Sequence, residues 1–254
     1  MRANEHRART IAMQLLAARQ RQTPIVDWPD DARPGTFEEA YAAQFLQMEQ
    51  LGAIGGWKVG ASSPHTEPVC APLPLNGIYE KEHWLPGKCG ATRRVEVELA
   101  VVMAHDLPPS GVPYTAQGVW RAVKQLSVAI EIVESRFADP AQAGRLSTLA
   151  DLASHGCLVY QGFDTGAVPA SALAPTRFRL HVGVDRCLNG PSVNPAGDPL
   201  RLLAWLANVG SQPAGGIRRD QVIIMGACLS ALPAEPGDTV HAIVDGIGEL
   251  AFEF

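Results

Sequence analysis

A chain of 254 residues can bury a sizeable core as one domain, with room for a small helical appendage. Its formal net charge of -5 and pI near 5.8 argue against nucleic acid as a partner, and no Lys/Arg run offers a phosphate-tracking patch, so small-molecule chemistry is the default. No apolar run is long enough to span a bilayer, the N-terminus lacks the apolar core of a secretory signal, and the five cysteines are scattered with no CxxC. A cytoplasmic protein with no membrane partner is expected.

Thr10 to Gln20 carries Ile11, Leu15 and Leu16 at helical spacing, and Thr36-Phe37-Glu38-Glu39 is a capping box that opens a second helix through Tyr41, Phe45 and Met48 to Gly52. From Gly55 the texture changes to short strands rich in Gly and Pro. The expected division is an N-terminal helical segment, residues 1–54, followed by a domain of residues 55–254. Residues 62–90 show little periodicity and read as a long functional loop or lid.

Arg94 to Met103 is a strand whose alternation sets Val95, Val97, Leu99, Val101 and Met103 on one face and Glu96, Glu98, Ala100 and Val102 on the other. Both faces are apolar after Glu98. A strand covered on both sides should not hold two glutamates two residues apart unless a cation offsets their charge and lost hydration. The alternative is that both lie on the wet face of a half-exposed strand.

Thr115 caps a short helix containing Val119, Trp120 and Val123. Ser127 to Val133 is a second apolar run, too rich in β-branched residues to favour helix, with Glu131 at its centre. Three carboxylates from two strands, without Cys or His at ligand spacing, describe a site for a hard cation, Mg²⁺ or Mn²⁺. Lys58 follows Trp57 in a short apolar strand. It is either a snorkelling surface lysine or, beside a metal, a group that pairs with an anionic substrate or moves a proton. Glu134 and Arg136 read as a structural ion pair, and His155 as a surface or hydrogen-bonded residue.

Asp198-Pro199 opens a helix that should pack on a sheet, with Gly210 as its stop. Val222 to Met225 and Thr239 to Val244 read as strands, the latter turned back by Asp245-Gly246 into a C-terminal hairpin. The expected class is α+β, a folded mixed sheet or roll. Gly246-Ile247-Gly248-Glu249-Leu250-Ala251 formally matches a dinucleotide fingerprint but leaves no room for a following helix and strand, so it is a turn. No G-x-S-x-G, H-E-x-x-H or P-loop motif is present.

Trp57-Lys58-Val59-Gly60, Val95 to Ala100, Ala129 to Arg136, Ala150-Asp151, Gly197 to Leu200, Trp205 to Ala207, Pro236 to Asp238 and Asp245 to Gly248 stand in an order and spacing that resemble one group. It is the hydratase/decarboxylase family, comprising 2-keto-4-pentenoate hydratases and 4-oxalocrotonate decarboxylases, within the fumarylacetoacetase C-terminal-like superfamily. The resemblance implies a β-roll with flanking helices, a homo-oligomer, and Mg²⁺ or Mn²⁺ held by Glu96, Glu98 and Glu131 with Lys58 as the catalytic lysine. It also implies a small 2-oxo or 2-hydroxydienoate acid as substrate, in catabolism of aromatic compounds.

Hydration is the leading activity, followed by decarboxylation and C–C hydrolysis. A catalytically weak subunit supporting a partner enzyme of the same pathway is the alternative. Two departures stand out: Pro74-Leu75-Asn76-Gly77 replaces Pro-Asp-Phe-Gly, and Met225-Gly226 replaces Thr-Gly. Substrate contacts are therefore expected from Ser62, Leu75 and Asn76, to a bulkier or more apolar tail.

Overall fold

The computed structural model describes residues 2–26, 28–29, 32–84, 93–163, 173, 177–191 and 193–254. Two helices lead: α1 (Arg2–Arg21) and α2 (Phe37–Leu51). The capping box is present in a variant form. Thr36 Oγ1 accepts from the Glu39 amide at 3.2 Å, and Glu39 reaches back one residue further, accepting from the Gly35 amide at 2.7 Å. Ile11, Leu15, Ala40 and Ala43 form their shared apolar seam with Trp28 and Phe137, whose rings stack at 4.7 Å. No helix among the described residues is long and apolar enough to cross a membrane.

The larger sheet contains β1 (Ile54–Gly60), β2 (Val69–Pro74), β3 (Ile78–Glu80), β4 (Arg94–Met103), β5 (Val123–Val133), β6 (His155–Phe163), β9 (Val222–Ile224) and β10 (Leu232–Pro233). Its order is β2-β1-β9-β4-β5-β6-β3, with β10 also pairing β4. Strands β2 and β3 stand at opposite ends of that order, yet only the turn Leu75–Gly77 joins them. The sheet must therefore curl until its ends approach, which is the expected roll.

A second sheet, in the order β12-β11-β7-β8, consists of β7 (Arg177–Val182), β8 (Arg186–Pro191), β11 (Thr239–Val244) and β12 (Gly248–Glu253). It covers the roll's outer face. There Val95, Val97, Leu99, Val101 and Met103 join Val128, Ile130, Phe178, Leu180, Val240 and Leu250 in one core. Helix α6 (Pro199–Trp205), capped by Asp198 and extended by a π turn over Leu206–Gly210, adds Leu202, Leu203 and Leu206. The inner face carries a smaller cluster of Leu73, Ala100, Val102, Ala129, Leu158, Val222 and Ile224.

Two expectations need correction. Residues 62–90 are not one long loop, because β2 and β3 lie within them. Pro72 and Pro74 obscure β2 in the sequence and are tolerated because it is an edge strand. Residues 85–90 lie outside the described residues. Val123 begins β5 rather than closing the helix α3 (Ala116–Trp120), which Thr115 caps as expected. Among the described cysteines, Cys70 and Cys187 are free thiols, whereas Cys157 is disulfide-bonded.

Candidate metal centre

The antiparallel register sets Glu96 directly opposite Glu131 and Glu98 opposite Ala129, so the period of two places all three glutamates on the roll's inner face. One carboxylate oxygen from each lies within 4.8 Å of the others. Glu98 and Glu131 are buried, and Glu96 is half-buried. Two carboxylates at 4.8 Å repel by about 3.5 kcal/mol at an effective dielectric of about 20 when both are ionised. Such a triad persists only with cations or protons among the carboxylates.

One cation is Lys58, carried into the same face by β1 through the row Lys58–Ile224–Ala100. Its Nζ donates to Glu131 Oε1 at 2.8 Å and Oε2 at 2.7 Å, and to the Ala153 carbonyl at 3.0 Å. Burial opposes charge on this lysine, but Glu131, Glu98 and Glu96 outweigh it and raise its pKa. Burial likewise opposes charge on Glu131, and there Lys58 and His155 prevail, holding the carboxyl below its ordinary range.

Glu98 behaves oppositely. Burial, then the charge of Glu131, pushes its carboxyl well above the usual range, although Lys58 and the Gly226 amide pull it down. Glu96 is raised by burial and Glu131 against the pull of Lys58 and Arg94. Thus Glu131 is the fixed anion, while Glu98 carries the pressure of the cluster. Its Oε2 is buried without a hydrogen-bond partner. Gly226, at φ 88°, turns the chain away just after β9 ends at Ile224, and its amide serves this side chain.

Behind the triad, α2 sends two buried glutamines to the end of α5 (Arg145–Ala150). Gln44 Nε2 donates to the Leu149 carbonyl at 2.6 Å, and Gln47 Nε2 to that of Ala150 at 2.8 Å. After Asp151, three consecutive non-glycine residues adopt left-handed backbone: Leu152 at φ 47°, Ala153 at 52° and Ser154 at 61°. Each costs on the order of 1–3 kcal/mol. This run aims the Ala153 carbonyl at Lys58. Arg136 secures its start, its Nε donating to Asp151 Oδ1 at 2.7 Å and its amide to Oδ2 at 2.8 Å, and it also contacts Glu134 at 3.1 Å.

The donors fit a hard divalent cation. They are all carboxylate oxygens, they are too close to remain jointly ionised unaided, and one oxygen is orphaned in the interior. Lys58 is brought to the triad. Leu75 and Asn76 sit exposed on the turn between β2 and β3, where a Cβ built on Gly77 would lie 3.7 Å from His155 Nε2. Ser62 is exposed on the loop after β1 and bonds Thr66 Oγ1 at 3.2 Å, with no hydrogen bond to the triad. His155, Ala153 and Gly226 escaped the sequence reading as parts of this site. The only available signals were the Asp-Leu-Ala-Ser-His run beside a candidate motif and the Gly after the late strand.

A curled mixed sheet with an inward carboxylate triad defines the class, a mixed β-roll with flanking helices, and solved structures share that fold. No family model matches the chain. Its sequence is 28% identical over 262 residues to the 2-keto-4-pentenoate hydratase of Paraburkholderia xenovorans, covering 96% of this chain and 93% of that protein. It is 27% identical over 161 residues to a 4-oxalocrotonate decarboxylase of a Pseudomonas species, covering 63% of this chain and 59% of that protein. The structure of the 4-oxalocrotonate decarboxylase of Pseudomonas putida G7, complexed with magnesium and adipate, aligns with a TM-score of 0.76 at 21% identity, covering 98% of this chain and 97% of that one. The similarity to the named hydratase extends over nearly the whole chain.

Proposed function

We propose that the chain is a divalent-metal-dependent lyase, a hydratase acting on 2-hydroxypenta-2,4-dienoate or a related 2-oxo acid in aromatic catabolism. One observation carries the reading: three glutamates converge beside a lysine, inside a chain that is similar along 96% of its length to a named hydratase. Glu96, Glu98 and Glu131 would hold Mg²⁺ or Mn²⁺. When bound, the ion supplies Lewis-acid polarisation of a 2-oxo acid through its carboxylate and C2 oxygens.

The chain's own residues supply the rest. Lys58, held by Glu131 and Ala153, presents an ammonium for the substrate carboxylate and a proton for transfer at the reacting carbons. Ala100, Ala129 and Val102 form an apolar floor beneath the triad that excludes bulk water. Leu75 and Asn76, on the turn beside His155, and Ser62, on the loop after β1, are the proposed contacts to the substrate tail. Residues 1–54 brace residues 55–254, which form the catalytic roll. The resemblance supports a homo-oligomer in the cytoplasm, working beside another enzyme of its pathway.

Decarboxylation of 2-oxo-3-hexenedioate is the second reading, supported by the shorter match to the decarboxylase relative. Purified protein with Mn²⁺ is incubated with each acid while ultraviolet absorbance and released CO₂ are followed. Loss of the dienoate chromophore without CO₂ is expected. Release of CO₂ from the hexenedioate alone would transfer the assignment to decarboxylase, and silence with both acids would leave the partner-subunit role.

A further inference from the structure

Glu131 is gripped from two sides. Besides Lys58, His155 Nδ1 lies 2.9 Å from Glu131 Oε1, and the His155 and Glu131 side chains have no exposed surface. An ionised carboxylate only accepts, so Nδ1 carries the proton and donates. Regular alternation along β6 would not place His155 there. Leu158 faces the roll interior and Cys157 the outer core, so two more residues of undisturbed strand would turn His155 outward. The register slips at this point: Ile132 pairs Cys157, but Val133 pairs His155, leaving Gly156 as the extra residue of a bulge. A Cβ on Gly156 would lie 2.7 Å from the Ile132 carbonyl, so the bulge requires glycine.

The residue that the bulge re-aims is also locked through its backbone. The His155 carbonyl accepts from Arg19 Nη2 at 2.8 Å and Arg136 Nη2 at 3.0 Å, tying α1 and the Asp151 ion pair to this one peptide. Immediately before it stand the three left-handed residues that present the Ala153 carbonyl to Lys58. A strained segment, a glycine bulge, the buried Arg136 and the half-buried Arg19 therefore converge on holding one imidazole against one carboxylate.

We infer that His155 is a positioning residue of the metal centre: its Nδ1–H fixes the carboxylate of Glu131 in the orientation in which the triad takes up a divalent cation. The inference rests on the metal reading proposed above. Outer groups that orient a ligand typically contribute 10–100-fold in metal affinity. An Asn side chain places an amide N–H where His carries Nδ1, whereas Leu fills similar volume without a donor.

The test is Mn²⁺ binding by calorimetry on the parent protein, His155→Asn and His155→Leu, with circular dichroism and thermal unfolding recorded for each. The parent is expected to bind, His155→Asn to stay within about threefold of it, and His155→Leu to fall 10–100-fold while its metal-free unfolding remains cooperative. Parental affinity in His155→Leu overturns the inference and leaves the metal reading standing. So does equal loss in both variants, since a packing role would not be rescued by Asn. If His155→Leu does not fold, His155→Asn decides: affinity within threefold upholds the inference and a tenfold loss overturns it. A parent protein that takes up no Mn²⁺ overturns both readings together.

Discussion

Replacing Glu98 by Gln should affect stability with opposite sign in the presence and absence of metal. In the metal-free fold, Glu98 is buried, lies within 4.8 Å of two other carboxylates and has one oxygen without a partner. Ionised, it meets about 3.5 kcal/mol of repulsion from each neighbour at a dielectric of about 20, offset in part by Lys58. Its folded pKa is raised above the unfolded value. The folded state therefore binds more protons than the unfolded one above the ordinary carboxylate range, and stability falls as pH rises through that window. Gln cannot ionise. In EDTA near neutral pH, Glu98→Gln should be more stable than the parent by about 1–3 kcal/mol, or roughly 2–10 °C in Tm for a chain of this size.

With Mn²⁺ the order should invert. A cation at about 1,000 times its Kd stabilises the parent by about 4.1 kcal/mol, whereas a variant lacking one ligand should gain almost nothing. Thermal unfolding of both proteins at pH 7.5, with EDTA and with Mn²⁺, reads all four values. A Glu98→Gln protein less stable than the parent in EDTA, or one that keeps the full Mn²⁺ shift, would refute the reasoning.

Lys58→Ala should lower turnover about 10²–10⁴-fold while leaving Mn²⁺ affinity unchanged or tighter, since a competing cation is gone; steady-state kinetics with parental kcat would reduce Lys58 to a structural partner of Glu131. Mn²⁺ uptake should expel a proton from Glu98, so affinity should weaken as pH falls through the raised folded pKa of that carboxyl. Calorimetry in buffers of different ionisation enthalpy should detect the released proton, and affinity constant from pH 8 to 5 would contradict it. Gly156→Ala, with its Cβ 2.7 Å from the Ile132 carbonyl, should cost about 1–3 kcal/mol and weaken Mn²⁺ binding with it; a Tm within 1 °C of the parent would remove the bulge from the account. Asp151→Asn removes the fully buried counter-charge of Arg136 and leaves it only the partly exposed Glu134, which should cost about 3–5 kcal/mol in urea unfolding; a loss below 1 kcal/mol would show that Glu134 or water takes over.

The elements most legible in the sequence were those with an uninterrupted period. Arg94 to Met103 alternates without a break, and its two faces in the structure are the two faces read from the residues. Thr36 and Asp198 mark their helices because each side chain caps a backbone amide. Strand β2 was hidden by two prolines, which its edge position tolerates. Closure of the roll depends on which strands sit at the ends of the sheet, and no local pattern encodes that. His155 was missed for a local reason: a bulge inverts the facing of the residue before it, and the sequence marks the bulge only by a single glycine.

The junction Leu75–Gly77 has a double duty that limits how this protein can diversify. It is the tether holding the first and last strands of the curled sheet together, and it borders the interior beside the imidazole. Lengthening it to admit a larger molecule would also loosen the seam. Selectivity for different acids is therefore expected to change through exchanges at positions 75 and 76, with the backbone length of the tether conserved by mechanics rather than by chemistry.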